Sequence, residues 1–233
     1  MQDYDKLLWY NENIQFMFHS NILEYDMNAA SLSLSERFKL LPKETIERLK
    51  MLDKKSRVIQ TGLIRRENPE FSLEVDKKLI DVRRQFIQEN DILPDSLISL
   101  HSDAIIFASK KKIKDKIDGI QFKEANRCTA YMNFEKLEMF YRNEYIEYKG
   151  ASQELLKQHT MGINKYLIKI FKYIENYDPQ VLKYMSRFMR NYLTDQYPEF
   201  MYTKFGSIGD FKYGNLGLFA FIGNVVIKEM KGW

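Results

Sequence analysis

Two aspartates, Asp26 and Asp103, have the residue type and the placement expected of metal ligands. Asp26 ends the apolar stretch Ile22–Asp26, whose pattern predicts a strand that leads into a turn. Asp103 lies at the polar tip of a hairpin predicted over residues 96–108, with an apolar run on each side. Two carboxylates from different strands can converge on two Mg²⁺ or Mn²⁺ ions, the arrangement that catalyses phosphoryl transfer. The alternative, that both are turn aspartates bonded to their own backbone, stays open on spacing alone.

Other elements have to bring these two acids together. Helices are predicted at Ala29–Leu34, after Pro42 and over Ser72–Asn90, with a short strand at Ser56–Ile64. After the hairpin, strands are predicted at Ile120–Lys123, Thr129–Phe134, Glu138–Arg142 and Tyr145–Lys149. From about Ser152 the pattern becomes helical. We therefore expect an α+β fold with an antiparallel sheet, divided near Gly150 into a mixed part, residues 1–150, and a helical part, residues 151–233.

Composition narrows the class of protein. The chain has 233 residues, of which 45% are hydrophobic, and this is ample for a packed core. Its one cysteine, Cys128, excludes an internal disulfide and any zinc site built from several cysteines. The start does not resemble a signal peptide, and the longest apolar run, Leu216–Ile227, is too short to span a bilayer. We expect a cytoplasmic protein without a membrane partner.

Charge is distributed unevenly along the chain. Residues 1–109 hold 15 Lys and Arg against 18 Asp and Glu, whereas residues 110–233 hold 21 against 14. A surface that binds along nucleic-acid phosphates must carry positive charge, and the basic second half of the chain meets this requirement. A chance excess of solvated lysines is the alternative.

Three segments resemble motifs of the family B-like DNA polymerases of phages and plasmids. Tyr25–Ser33, with the sequence YDMNAASLS, resembles motif A, in which an aspartate precedes Ser-Leu-Tyr-Pro-Ser. Leu100–Phe107, LHSDAIIF, is similar to the Asp-Thr-Asp-Ser hairpin of motif C; Asp103 falls on its second, metal-binding aspartate and His101 on its first. Glu138–Ser152 looks like the strand pair that meets the primer and leads into the thumb. The resemblance covers about residues 20–160.

The resemblance implies a polymerase palm followed by a helical, thumb-like region, with Asp26 and Asp103 holding two Mg²⁺ or Mn²⁺ ions at a primer 3′ end. The implied partners are a primer–template, nucleoside triphosphates and a replication protein. The 25 residues before Asp26 cannot hold an exonuclease domain, and no clear Lys-x-x-x-Asn-x-x-x-Tyr-Gly fingers helix is present. Reduced fingers suggest a small phage or plasmid protein that works in the host cytoplasm.

Two further sets of residues are candidates for nucleotide binding. Four cations on the helix before the hairpin can meet phosphates, or form a solvated helix face instead: Lys77, Lys78, Arg83 and Arg84. Ser31 stands five residues after Asp26, where the resemblance implies the side chain that senses the sugar, normally a tyrosine. The smaller serine predicts weak rejection of ribonucleotides, unless it is only a local hydrogen-bonding residue.

A third set is a candidate surface for the nucleic acid itself. Two helices repeat a basic i, i+4, i+7 spacing: Lys165, Lys169 and Lys172, then Lys183, Arg187 and Arg190. Residues for stacking and primer contact precede them: Tyr141, Arg142, Tyr145, Tyr148 and Lys149. Ordinary amphipathic helices also place lysine outside, so this alternative stays open.

The function predicted from these residues is template-dependent nucleotide addition to a primer by two-metal catalysis, as in a small DNA polymerase or a primase. The alternative from another class is a catalytically inactive, palm-like protein that binds nucleic acid or a replication partner. A nuclease is less favoured, because its motifs would be expected to cluster additional carboxylates.

Overall fold

The computed structural model describes residues 4–150, 153–202 and 213–233; over 153–161 it describes the backbone without the side chains. The strands of the described part are β1 (Leu8–Tyr10), β2 (Phe16–Met17), β3 (Ile22–Met27), β4 (Leu97–His101), β5 (Ala104–Ala108), β6 (Lys116–Ile117), β7 (Ile120–Cys128), β8 (Ala130–Phe134), β9 (Leu137–Arg142) and β10 (Tyr145–Lys149). Its α-helices are α1 (Ala30–Arg37), α2 (Lys43–Lys50), α3 (Lys54–Glu67), α4 (Pro69–Glu89), α5 (Gln153–Glu175), α6 (Gln180–Leu193) and α7 (Leu216–Met230). The expected α+β class is confirmed.

The chain forms two compact units. Unit 1 comprises Met1–Glu12 and Ile22–Arg127, and unit 2 comprises Asn13–Asn21 and Cys128–Trp233. The division falls between β7 and β8 and not near Gly150, where we placed it from the sequence. The reason is packing, since β8, β9 and β10 turn their apolar side chains toward the core that α5, α6 and α7 also line. Strands and helices that share one apolar core cannot be assigned to separate domains.

Unit 1 is built on a six-stranded sheet in the order β1-β4-β5-β3-β7-β6. The strand β3 pairs antiparallel with β5, and β5 with β4 in the predicted hairpin. Side chains alternate across β3, so that Leu23, Tyr25 and Met27 enter the core while Glu24 and Asp26 occupy the opposite face. The register of the sheet therefore decides which face the acid occupies.

The helix α4 covers the core face of this sheet. Its buried apolar residues recur at helical intervals and pack with the strands in one cluster: Phe71, Val75, Leu79, Val82, Phe86 and Ile87. Asn68 caps the helix, because its side chain accepts a hydrogen bond from the Phe71 N–H at 3.0 Å. Each large apolar side chain buried here contributes roughly 2 kcal/mol. The helix predicted over Ser72–Asn90 is confirmed.

The strand predicted at Ser56–Ile64 is wrong, because these residues lie inside α3. Asp53 caps this helix, with its side chain accepting hydrogen bonds from the backbone N–H groups of Lys55 and Ser56 at 2.9 and 3.1 Å. The β-branched pair Val58 and Ile59 favours a strand locally, but both side chains are exposed on the helix. The cap and the packing of α3 on α4 outweigh that preference.

Unit 2 combines a four-stranded antiparallel sheet, in the order β10-β9-β8-β2, with α5, α6 and α7. Gly150, which directly follows β10, has a φ of +81°, and a Cβ there would lie 2.0 Å from the Lys136 carbonyl oxygen. None of the helices in the described part of the chain has the length and apolar composition needed to cross a bilayer.

Candidate functional site

Unit 1 brings Asp26 and Asp103 to the same place. Asp26 pairs with Ala104 across β3 and β5, and the backbone N–H of Met27 donates to the carbonyl oxygen of Asp103 at 3.1 Å. Both aspartates are half-buried and line one cleft of about 530 Å³. Two residues that are 77 positions apart in sequence are thus neighbours at the edge of one cavity, as the sequence argument predicted.

The hairpin tip that carries Asp103 is fixed by a buried arginine. The guanidinium of Arg83 donates to the carbonyl oxygens of Ser102, Lys6 and Leu7 at 2.6, 2.7 and 3.1 Å, and only 1% of the residue is exposed. Burial lowers the pKa of Arg83 to about 10, and the nearby Asp103 carboxylate acts in the opposite direction. The side chain stays charged at neutral pH and joins α4 to the tip and to the segment just before β1.

This position of Arg83 corrects its assignment to the nucleotide-binding set. Three of its donor contacts are to backbone carbonyls within the fold, and the residue does not line the cleft. The structure gives it a positioning role instead, because it holds the residue that precedes Asp103. The buried Nε of Arg83 has no hydrogen-bond partner among the residues that the structure describes.

The other predicted cations of α4 also lie outside the cleft. Lys77 pairs with Glu74 at 2.7 Å, and Arg84 pairs with Asp5. The Lys78 ammonium lies 5.2 Å from the centroid of the Phe38 ring and 3.8 Å from an Asp81 carboxylate oxygen. These contacts fit the solvated helix face that the sequence left open.

A different set of cations lines the cleft with the two aspartates. Three belong to α3 and one to β7: Lys54, Arg57, Arg65 and Lys123. Arg65 is engaged by Asp76 and by the Ser72 hydroxyl at 3.2 Å. Lys54 and Lys123 are exposed and form no ion pair within the described residues. Sequence reasoning missed Arg57 because it assigned Ser56–Ile64 to a strand, and it did not single out the other three cations.

Arg57 is the member of this set whose geometry most favours an anionic ligand. Its guanidinium donates to the Leu52 carbonyl oxygen at 2.9 Å, which fixes the side chain, whereas its buried Nε has no partner among the described residues. A buried donor without an acceptor is costly and calls for one. The spacing of Lys54, Arg57 and Thr61 places all three on one face of a helix, a signal that a helical interpretation of this segment would have found.

Ser31 lines the same cleft from the first turn of α1. The helix starts after Ala29, which has a φ of 47°, and the Ser31 carbonyl oxygen accepts a hydrogen bond from the Ser35 hydroxyl at 2.6 Å. The predicted sugar-sensing position is therefore within the cavity. His101, assigned to the first motif C position, lies at the end of β4, with its ring 5.4 Å from that of Tyr10.

The tyrosines predicted to contact primer belong to unit 2 and divide into buried and exposed residues. Tyr141 is 1% exposed and stacks on Phe171 with a centroid distance of 4.9 Å, so stacking on a base is excluded for its ring in this structure. Burial raises the pKa of Tyr148, whose hydroxyl donates to the Asn164 side chain at 2.6 Å. Tyr145 is 62% exposed, and Arg142 is also exposed. Lys149 lies 3.5 Å from a Glu147 carboxylate oxygen.

The predicted basic residues of α5 and α6 are all exposed side chains of unit 2: Lys165, Lys169, Lys172, Lys183, Arg187 and Arg190. Lys172 differs from the other five because it forms an ion pair with Glu144. The other five have no carboxylate partner among the residues that the structure describes.

The two acids of the cleft fit a Mg²⁺ site in which substrate phosphates supply further ligands. Among the described residues no group of three or more His, Cys, Asp and Glu is placed to hold a metal ion. Mg²⁺ is commonly bound by one or two carboxylates together with water and substrate phosphates, and not by an all-protein cage. Asp26 and Asp103 provide that number of carboxylates, with cations in the same cleft that suit phosphate.

Comparison with known proteins gives one family. The model of a family described as "Bacteriophage PBS1 gene 130 protein" matches residues 1–230. No curated protein matches the chain significantly.

Proposed function

The chain belongs to the bacteriophage PBS1 gene 130 protein family, and we propose that it is a template-dependent nucleotidyl transferase, a small DNA polymerase or primase that extends a primer 3′ end. The observation that carries the proposal is the convergence of Asp26, in β3, and Asp103, in the turn between β4 and β5, on one cleft that also holds several cations. The resemblance to polymerase motifs A and C supports it, because the two motifs fall on the segments that carry these acids.

The chemistry requires a primer hydroxyl to attack the α-phosphorus of a nucleoside triphosphate while pyrophosphate leaves. Two bound Mg²⁺ or Mn²⁺ ions supply activation of the attacking oxygen and neutralisation of phosphate charge. Asp26 and Asp103 provide carboxylate oxygens for them, and Lys54, Arg57 and Lys123 provide positive charge for the triphosphate. Ser31 faces the sugar, and because its side chain is small, a ribose 2′-hydroxyl meets little obstruction.

A primer-extension assay tests the proposal. The purified chain is incubated with a primed template, labelled dNTPs or NTPs, and Mg²⁺ or Mn²⁺. We expect extension that depends on the metal and falls on the order of a thousandfold in Asp26→Asn and in Asp103→Asn. Asp95→Asn is the matched control, since Asp95 is an exposed aspartate of unit 1 that does not line the cleft.

The same assay separates the alternatives. Extension that persists in both cleft variants would contradict the proposed metal ligands. Shortening of the primer would identify a nuclease. A wild-type chain that binds the primed template without extending it would favour the second candidate, a non-catalytic protein that binds nucleic acid, which the unpaired cations of α5 and α6 support.

A further inference from the structure

One cation of α5 in unit 2 lies beside two tyrosine rings. The Lys169 ammonium is 4.7 Å from the centroid of the Tyr184 ring and 5.9 Å from that of Tyr173. The two rings are themselves 5.6 Å apart, and both are half-buried, so each keeps part of its surface open to solvent. A positive charge and two partly exposed rings therefore lie together at the junction of the two helices.

Two depressions continue this surface and share Lys165. One, of about 460 Å³, is lined by Lys169, Tyr173 and Asn176 among others. The second, of about 330 Å³, is lined by aromatic side chains: Tyr166, Tyr184, Phe188, Tyr197 and Phe200. Because Lys165 belongs to both linings, we treat them as one groove and call it the α5–α6 groove.

The acids near the groove are few, and one of them is already engaged. Glu144 lines the first depression and pairs with Lys172, and Asp178 lines it as well. Lys165 and Lys169 remain without a carboxylate partner in the described part of unit 2, as do the exposed cations of α6. The groove thus has positive charge available for an anionic ligand.

We propose that the α5–α6 groove binds a single strand of nucleic acid, with Lys165 and Lys169 on the phosphates and the rings of Tyr173 and Tyr184 against the bases. Base stacking on aromatic side chains requires unpaired bases, which a duplex does not expose, so the tyrosines favour a single strand. The inference rests on the proposed function in one respect: a template-directed enzyme must hold a strand. It is tested by binding alone.

Fluorescence anisotropy with the full chain measures this binding without nucleotide or metal. The probes are a fluorescein-labelled 20-nucleotide oligo(dT) and the dA–dT duplex of the same length. We expect the single strand to bind at least about tenfold more tightly, with an affinity that falls steeply between 50 and 200 mM salt. Equal or tighter binding of the duplex overturns the proposal.

Substitutions separate phosphate contacts from stacking. Lys165→Ala and Lys169→Ala should each weaken binding and reduce the slope of log affinity against log salt by about 0.7. Lys228→Ala is the control, because Lys228 is an exposed lysine of unit 2 on α7 that lines neither depression. Tyr184→Leu should weaken binding about tenfold with the slope unchanged, whereas Tyr184→Phe keeps the ring and should bind as wild type. If Lys165→Ala, Lys169→Ala and Tyr184→Leu all bind as Lys228→Ala does, the assignment is contradicted.

A wild-type measurement keeps the test independent of folding defects in the tyrosine variants. Oligo(dT) that contains 5-iododeoxyuridine is photo-crosslinked to the full chain, and the crosslinked peptides are identified by mass spectrometry. Crosslinks at Tyr173 or Tyr184 support the groove, and crosslinks confined to other segments overturn it.

The inactive variant Asp26→Asn makes failure of the two proposals distinguishable. It should bind oligo(dT) as wild type does, because Asp26 belongs to unit 1 and the groove to unit 2. Nucleotide addition without preferential binding of the single strand would contradict only the proposal for the α5–α6 groove. Single-strand binding at the groove by a chain that adds no nucleotide would defeat only the proposed transferase.

Discussion

Cations occur in both units, but their neighbours differ. In the cleft of unit 1, Lys54, Arg57 and Lys123 share the cavity with two aspartates. In the α5–α6 groove of unit 2, Lys165 and Lys169 lie beside tyrosines. Cations together with carboxylates suit a metal-bound triphosphate at one point, whereas cations together with aromatic rings suit a strand of repeating phosphates and bases. The neighbouring side chains, and not the positive charge itself, distinguish the two surfaces.

Charge reversal in each surface gives the largest expected effect and tests this distinction. Lys54→Glu combined with Arg57→Glu should lower nucleotide addition by about a hundredfold or more, because like charge then opposes the triphosphate. Oligo(dT) binding should change less than about twofold in this variant. Lys165→Glu combined with Lys169→Glu should weaken binding of oligo(dT) strongly.

Primer extension and anisotropy are measured on both double variants, with circular dichroism as the check on folding. If the unit 1 variant loses oligo(dT) binding as severely as the unit 2 variant does, the two surfaces do not have separate ligands.

Arg83 links the proposed metal site in the cleft of unit 1 to the stability of the fold. Arg83→Met should destabilise the chain by roughly 2 kcal/mol, because it removes the donor from three carbonyl oxygens and frees the tip next to Asp103. Urea denaturation measures the loss. Arg84→Met is the neighbouring control, since Arg84 is only half-buried and its partners are the side chains of Asp5 and Asp81. Equal losses in the two variants would contradict a special role for Arg83.

A substitution at Ser31 tests whether the cleft of unit 1 binds the sugar of a nucleotide. Ser31→Tyr should raise the preference for dNTPs over NTPs by about tenfold, because the larger side chain fills the part of the cleft where a 2′-hydroxyl would lie. The ratio of kcat/KM for the two nucleotides is the measurement, with Ser33→Tyr on the same helix as the control, since Ser33 does not line the cleft. An unchanged ratio would remove Ser31 from the sugar site.

The smallest expected effect concerns Asp53, which caps α3, the helix that carries three cations of the cleft. The hydroxyl and backbone N–H of Ser56 bond to the Asp53 carboxylate and lower its pKa below the ordinary 3.8. A lowered carboxyl pKa stabilises the fold above pH 3.8, and this contribution declines as the pH falls through the lower, folded-state value. Asp53→Ala should therefore speed amide exchange in the first turn of α3 at pH 7 and only weakly at pH 3. Equal effects at the two pH values would contradict the cap.

The sequence by itself indicated much of the framework. Apolar periodicity located β3, the β4–β5 hairpin, α4 and the strands after the hairpin, because side-chain alternation is a local property of strands and helices. It also placed Asp26 and Asp103 at the ends of strands. Tertiary structure decided which cations accompany them. The four predicted cations of α4 are paired or buried, and three cations of α3 line the cleft, a difference that charge spacing alone could not reveal.

Tertiary structure also decided the roles of Arg83, Tyr141 and α3. Arg83 and Arg84 are adjacent in sequence, but rotation about the helix buries the first against backbone carbonyls and leaves the second half-buried with acidic partners. Tyr141 is in a strand whose face packs on Phe171. The segment after Asp53 has β-branched residues, yet its cap and its packing on α4 make it a helix. Local pattern therefore determined most of the elements, whereas packing decided α3 and which side chains remain available for ligands.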